Sequence, residues 1–229
     1  MNNREVRFAP LEFRTEQEEN AEVAYIEGYP IVFNQETDMG EWREIIDPAT
    51  VSDGKMLRDV ALMIGHDFGS IPLAHSRRNN GSGTMLLTPT EEGVFMRAML
   101  DVENNPKAKE AYSAVKRGDM TGMSFAFTVN EERWEDLDTD RPLRRITGFG
   151  RIYEVSLVAF PAYSGTSVQA ASDGPALESV RASLESARQQ LAEERAREAD
   201  QERRTAVLDW LENDRKEVSD TDESDRTEC

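Results

Sequence analysis

Nearly everything this chain could use to build a core stops near residue 170. Beyond that point stand one aromatic residue, Trp210, one glycine, Gly174, and one proline, Pro175. Residues 1–170 carry 28 acidic and 18 basic side chains, and residues 171–229 carry 17 and 9. The first stretch is long enough for one ordinary domain with a buried core. The second is too polar to bury one of its own. It reads as a linker over residues 170–175, a long helix over 176 to about 213, and an acidic end, VSDTDESDRTEC, whose composition predicts disorder. The expected organisation is a domain over 1–170, then a linker, an amphipathic helix and a disordered acidic tail over 171–229.

The first part is mostly strand-like. AEVAYIEGYPIVFN alternates apolar and polar residues, with Gly28 and Pro30 marking a bulge or bend inside the run. EWREIIDPATV reads as a strand running into a turn at Asp47-Pro48, and VALMIGHD as a short buried strand. GTMLLTPTEEGVFMRAMLD predicts a hairpin turning near residues 91–93. Residues 105–117 predict a helix, with Asn104 or Asn105 as N-cap, Pro106 in the first turn and Gly118 as C-cap. GMSFAFTV follows as a strand, then an acidic loop over 131–140, a short strand RRITGFG and a strong final strand, RIYEVSLVAFPAY. Many short strands with one clear helix predict a mainly β chain with helices, of the α+β class, built as a small β-barrel and not from βαβ units. No internal repeat is present.

In the long helix, Leu177, Val180, Leu184, Ala187 and Leu191 are spaced 3, 4, 3, 4, a seam of two heptads. Val207, Leu208, Trp210 and Leu211 form a second small apolar patch. The seam suits a helix packed on its own domain, and equally one that docks on a partner or self-associates.

Charge and composition exclude several classes. The net charge of −18 argues against free nucleic acid, because phosphate binding needs basic surface. No apolar run approaches the roughly 18 residues of a membrane span, and the opening MNNREVRFAP lacks the apolar core of a secretory signal. No membrane association is expected. The single cysteine, Cys229, forbids an intrachain disulfide and a cysteine-built zinc site, and points to a reducing cytoplasm. His66 and His75 are too few for a site built on several histidines, so no metal or cofactor is expected.

Three residues could carry chemistry. His66 ends a predicted buried strand, and a neutral imidazole is the usual general base near neutral pH. Ser124 opens the strand after the helix, and a serine hydroxyl becomes nucleophilic only when a base takes its proton. Glu154 is a carboxylate in the most apolar strand of the chain, where burial is costly unless it is paired. Each also has a bland reading: His66 and Ser124 as structural residues, and Glu154 as a partner of Arg151 or a residue at a solvated edge. His75 reads as a solvated loop residue, and residues 79–83 as a loop without a phosphate-binding pattern. Asp67 should point away from the face that His66 occupies.

Taken together the motifs are more specific. His66-Asp67, the IPLA turn at 71–74, GTMLL at 83–87, RGDMTGMSFAF at 117–127, and EVSLV at 154–158 followed by Pro161-Ala162 stand in that order. So arranged, and with the earlier GYPIVFN and EIIDPATV, residues from about 22 to 168 resemble the prohead (procapsid) maturation proteases of tailed bacteriophages. The resemblance implies a serine endopeptidase with the fold of herpesvirus assembly proteases, a compact β-barrel ringed by helices. Carried over by motif, Ser124 is the nucleophile, His66 the base and Glu154 the third member, a place that the herpesvirus enzymes give to a second histidine. The loop that bears their oxyanion arginine corresponds to PAYSGTS, which has none, so backbone N–H groups near Ser124 are the candidate donors. The partners implied are the capsid protein with its scaffold-like arm, or a separate scaffold, inside the immature shell. The competing expectation is a non-catalytic acidic scaffold, which would have no need of a β-domain carrying Ser, His and a buried Glu.

Overall fold

The computed structural model describes residues 4–10, 14–16, 23–159 and 174–224. Among the described residues eleven strands run in chain order: β1 (Glu5–Pro10), β2 (Arg14–Glu16), β3 (Val23–Val32), β4 (Thr37–Asp38), β5 (Arg43–Ile46), β6 (Ala61–Ile64), β7 (Ala74–His75), β8 (Met85–Pro89), β9 (Gly93–Asp101), β10 (Gly122–Glu135) and β11 (Leu143–Val158). Helix α1 (Pro106–Arg117) separates β9 from β10, and α2 (Gly174–Ser224) ends the described chain.

The described strands make two open sheets instead of the single closed barrel that strand counting suggests. One runs β1-β10-β11-β5-β4, with β6 on β11 and β7 on β6; the other runs β2-β3-β9-β8. Two parallel pairings set the first sheet. β11 lies against β5 near its start and against β6 near its end. Such non-local parallel contacts leave no local periodicity, so they are invisible in the sequence. The fold is mixed α+β and mostly sheet.

Where local chemistry dominates, sequence and structure agree. β3 carries a register shift between Gly28 and Ile31. The Asn105 side chain accepts from Lys107 N and Ala108 N, and Gly118 closes α1 in the left-handed conformation. Gly93 begins β9 where a Cβ would stand 2.1 Å from the Ile31 carbonyl oxygen, so no other residue fits that approach. The acidic stretch after residue 131 differs. β10 continues through Glu135, and RRITGFG merges with RIYEVSLV into one strand. The acids are strand residues because β11 brings arginines to them: Arg144 Nε donates to Glu132 at 2.7 Å and Arg145 Nε to Glu135 at 2.7 Å.

The core fills the space between the sheets and α1. Phe125 and Phe127 stack with centroids 4.6 Å apart and Phe149 meets both edge-on, with Ile26, Met96, Leu100, Tyr112 and Leu157 in the same cluster. Contacts divide the chain into two compact units, residues 1–181 and 182–229. The first turns of α2 belong to the first unit: Val180 is buried with Met39 and Trp42, and Leu177 and Trp134 pack on that cluster. Later on α2, Val207, Leu208, Trp210 and Leu211 are exposed. The helix backbone runs on to Ser224, into the segment whose composition predicts disorder, because extending an existing helix costs far less than nucleating one. Residues 170–173, the loop at 161–167 and residues 225–229 lie outside the described residues. No described helix is long and apolar enough to cross a membrane.

Four charged side chains are buried together. Glu5 and Arg7 of β1, Glu44 of β5 and Arg144 of β11 are each at most 5% exposed. Arg7 grips Glu44 with both oxygens, Nε–Oε1 2.5 Å and Nη2–Oε2 2.8 Å, and reaches Glu5 at 2.5 Å. Arg144 reaches Glu5 at 2.7 and 3.0 Å and Glu44 at 2.9 Å. Burial alone would raise the Glu44 carboxyl. The ion pairs with Arg7 and Arg144 outweigh it and lower that carboxyl to about 2, and they hold both guanidiniums above their ordinary value. A folded-state pKa below the ordinary 4.5 means that ionised Glu44 stabilises the fold. That contribution, at most ~3 kcal/mol, is complete above the unfolded-state pKa and is lost as pH falls through about 2. Chemical denaturation should therefore show stability falling steeply across that acid range. Glu44→Gln should flatten the fall and cost ~3–5 kcal/mol at neutral pH, because it strips a buried partner from two guanidiniums.

Candidate active site

Glu154 stands on β11 opposite Ala126 of β10 and Ala61 of β6, and Ser156 stands opposite Ser124 and Met63. Opposed residues in a sheet share a face, and so do residues two apart on one strand. Glu154, Ser156 and Ser124 therefore share the face of the sheet that turns away from Phe125, Val155 and Leu157. The pairing of β10 with β11 shifts register between Ala126 and Phe127, passing over Tyr153, so an irregularity sits directly beside Glu154.

His66 reaches this face through a tight turn after β6. Gly65 and His66 both have positive φ, 58° and 62°, and Asp67 N bonds back to Ile64 O at 3.2 Å, the pattern of a type I′ turn. A left-handed backbone is uncommon for histidine and costs energy that its neighbours must offset. The His66 amide donates to Ser156 Oγ at 3.0 Å, and its ring Nδ1 meets Glu154 Oε1 at 2.6 Å. Ser156 Oγ in turn donates to Glu154 Oε2 at 2.5 Å. Glu154 and Ser156 are fully buried. An ionised carboxylate only accepts, so the network assigns a ring proton to Nδ1. Nε2 is buried and has no hydrogen-bond partner among the described residues.

Ser124 is also fully buried, and its hydroxyl does not bond to His66. It donates to the carbonyl oxygen of Arg7 on β1 at 2.7 Å. Phe8, opposite Ser124 in the β1–β10 register, sets its ring edge-on to the His66 imidazole at 6.1 Å between centroids.

The site thus joins His66 to Glu154 by a direct bond and sets Ser124 on the adjoining strand with its hydroxyl turned elsewhere. Glu154 pairs with neither Arg151 nor solvent. Asp67 turns to its own loop, where hydrogen bonds from Ser70 Oγ and Gly69 N hold its carboxyl below the ordinary value. His75 lies on β7, where its Nδ1 accepts from Arg77 N at 3.1 Å and its Nε2 faces Asp59 at 3.6 Å. Ser156 is the member that sequence reasoning passed over. Its place two residues after Glu154 on a strand was the available signal, since that spacing puts both on one face. Among the described residues no cluster of three or more His, Cys, Asp or Glu could hold a metal ion. The arrangement suits proton transfer: a buried carboxylate fixes one ring nitrogen and leaves the other free to accept a proton.

The sequence matches the family described as caudovirus prohead serine protease over residues 10–179. It is 25% identical over 157 residues to the prohead protease of Enterobacteria phage HK97, covering 68% of this chain and 63% of that protein. The chain thus spans less than two thirds of that relative's length. A comparison of folds finds the bacteriophage T4 capsid assembly protease, gp21, with a TM-score of 0.37 and 12% identity, covering 68% of this chain and 99% of that one.

The short Nδ1–Oε1 bond should be visible without any activity. A proton NMR spectrum should show a low-field, slowly exchanging His66 ring N–H, and Glu154→Ala should remove it. A spectrum unchanged by that substitution would mean that Glu154 does not hold the ring.

Proposed function

Since this chain belongs to the caudovirus prohead serine protease family, we propose that it is a serine endopeptidase that cuts capsid and scaffold proteins, and itself, inside the immature phage shell. The observation that carries this reading is the bond from buried Glu154 to part-buried His66 on the face that also bears Ser124, all three within the family-matched residues. Ser124 is the nucleophile, His66 the base and Glu154 the residue that orients and charge-balances the imidazole. The kinship with the herpesvirus assembly-protease barrel belongs to the same proposal and rests on motif order. So do the host-cell cytoplasm as the compartment, the capsid protein and its scaffold as partners, and self-association.

In the proposed reaction Ser124 Oγ turns from Arg7 O toward His66 Nε2. As Oγ bonds to the substrate carbonyl carbon, its proton passes to Nε2, and Glu154 stabilises the imidazolium through Nδ1. The same proton then goes to the departing amine as the peptide C–N bond breaks. Water, deprotonated by His66, releases the acyl group and regenerates the hydroxyl. Backbone N–H groups near Ser124 are the candidate oxyanion donors.

We read residues 1–170 as the catalytic domain and 171–229 as the linker, helix and acidic tail that dock the enzyme on its partners. Val180 packs on Trp42, so the early turns of α2 also brace that domain. A chain ended after residue 181 should stay folded and cleave peptide but fail to enter assembling shells. A chain ended after residue 170 should lose stability as well, by the ~1–3 kcal/mol of an emptied apolar site.

The test of function is cleavage of capsid or scaffold protein by the purified full chain. Ser124→Ala should abolish it, with kcat down by ~10⁴ or more, while the fold is kept. Glu154→Gln should lower kcat by ~10²–10⁴ with KM little changed. Undiminished cleavage by Ser124→Ala would overturn the reading.

A further inference from the structure

Ser124 has β11 on one side and β1 on the other. The β1 strand is antiparallel to β10 over six residues, from Glu5 opposite Phe127 to Pro10 opposite Gly122. We propose that this edge of β10 is where an extended polypeptide substrate docks, and that β1 occupies it as a resident strand which must leave before Ser124 can act. The inference rests on the reading of Ser124 as nucleophile and adds to it the place and form of the substrate.

Four observations carry it. The first is what Ser124 touches: the peptide carbonyl of an extended strand, the group that a protease substrate presents to its nucleophile. The second is that the pose is unproductive. Oγ donates its proton to the carbonyl oxygen, whereas attack requires Oγ to face the carbonyl carbon and yield that proton to the base. The third is His66 Nε2, the atom that would take the proton, buried and without a hydrogen-bond partner among the described residues while Arg7 O holds the serine hydroxyl. The fourth is the family match, which begins at residue 10, the last residue of β1. The matched stretch thus leaves out residues 5–9, the part of β1 whose carbonyl holds Ser124.

Strand addition also says what the edge would recognise. Ladder hydrogen bonds take any sequence, and alternate side chains set preference. In the β1 register the residue opposite Phe125 points at Glu44, where Arg7 is gripped by both carboxylate oxygens. The next residue packs on His66, where Phe8 lies. Without β1, Glu5 and Arg7 leave together, and Glu44 keeps Arg144 but loses the guanidinium that bonds both of its oxygens. An extended peptide with an arginine followed by an aromatic residue fits best, and residues 4–10, REVRFAP, are such a peptide.

The test locks β1 to the edge in the full chain. Ala9 and Met123 are register partners whose side chains lie on the face away from His66, so Ala9→Cys with Met123→Cys, in a Cys229→Ser background, can be bridged by oxidation. Two readouts are compared between oxidised and reduced forms: hydrolysis of fluorescein-labelled casein, and capture of labelled REVRFAP by fluorescence anisotropy. The oxidised form should lose both by roughly tenfold or more, because the competent population is removed, and reduction should restore them. Arg7→Glu in the unlocked chain sets an acid against Glu44 and should raise both, whereas a strand with a purely structural role would make both fall. Casein hydrolysis that is present and equal in the two redox forms overturns the proposal, and so does failure of both forms to capture the peptide. Capture by the reduced form alone, with no hydrolysis by either, supports the docking edge and overturns the serine-protease reading on which it was built.

Discussion

Two guanidiniums and two carboxylates, with almost no exposure to water, are what the rest of this structure has to accommodate. Glu5, Arg7, Glu44 and Arg144 come from three strands far apart in sequence, and each neutralises the others at bonding distance. A buried charge without its partner costs several kcal/mol, so β1, β5 and β11 can separate only together with that cost. The cluster therefore locks the register of the larger sheet. Register is what sets Ser124, Ser156 and Glu154 on one face, since a slip of one residue would turn each of them to the other face.

A second buried charge, Glu154, shapes the site itself. It lies in the most apolar strand of the chain, and both of its oxygens are engaged, one by His66 and one by Ser156. The histidine reaches it only because the chain turns left-handed at both Gly65 and His66. Glycine takes that conformation freely and histidine does not. The strain at His66 is offset by its amide bond to Ser156 and by the carboxylate on its ring. Backbone geometry and proton chemistry are thus solved by the same three residues.

The hydroxyl of Ser124 links the two clusters. It donates to the carbonyl of Arg7, whose side chain is gripped by Glu44 on the opposite face of the sheet. One residue of β1 thus takes part in the structural charge cluster and holds the proposed nucleophile. Release of β1 would break both contacts at once, since Arg7 gives its side chain to one and its carbonyl to the other.

Local chemistry was legible in the residues alone. The caps of α1 at Asn105 and Gly118, the bulge near Gly28, the β8–β9 hairpin and the cost of burying Glu154 all follow from side-chain type and spacing over a few positions. His66, Ser124 and Glu154 could be named because their motifs stand in a recognisable order. Other features were decided by tertiary structure because they depend on partners distant in the chain. The acidic run after residue 131 reads as a loop until β11 brings Arg144 and Arg145 against it. The two sheets read as one barrel until β11 pairs in parallel with both β5 and β6. The hydroxyl of Ser124 turns to β1 and not to His66, which no pattern around Ser124 could reveal, because the carbonyl that accepts it lies 117 residues away. Periodicity and capping act over one or two turns of chain, whereas charge pairing and strand pairing across a sheet are settled only when remote segments meet.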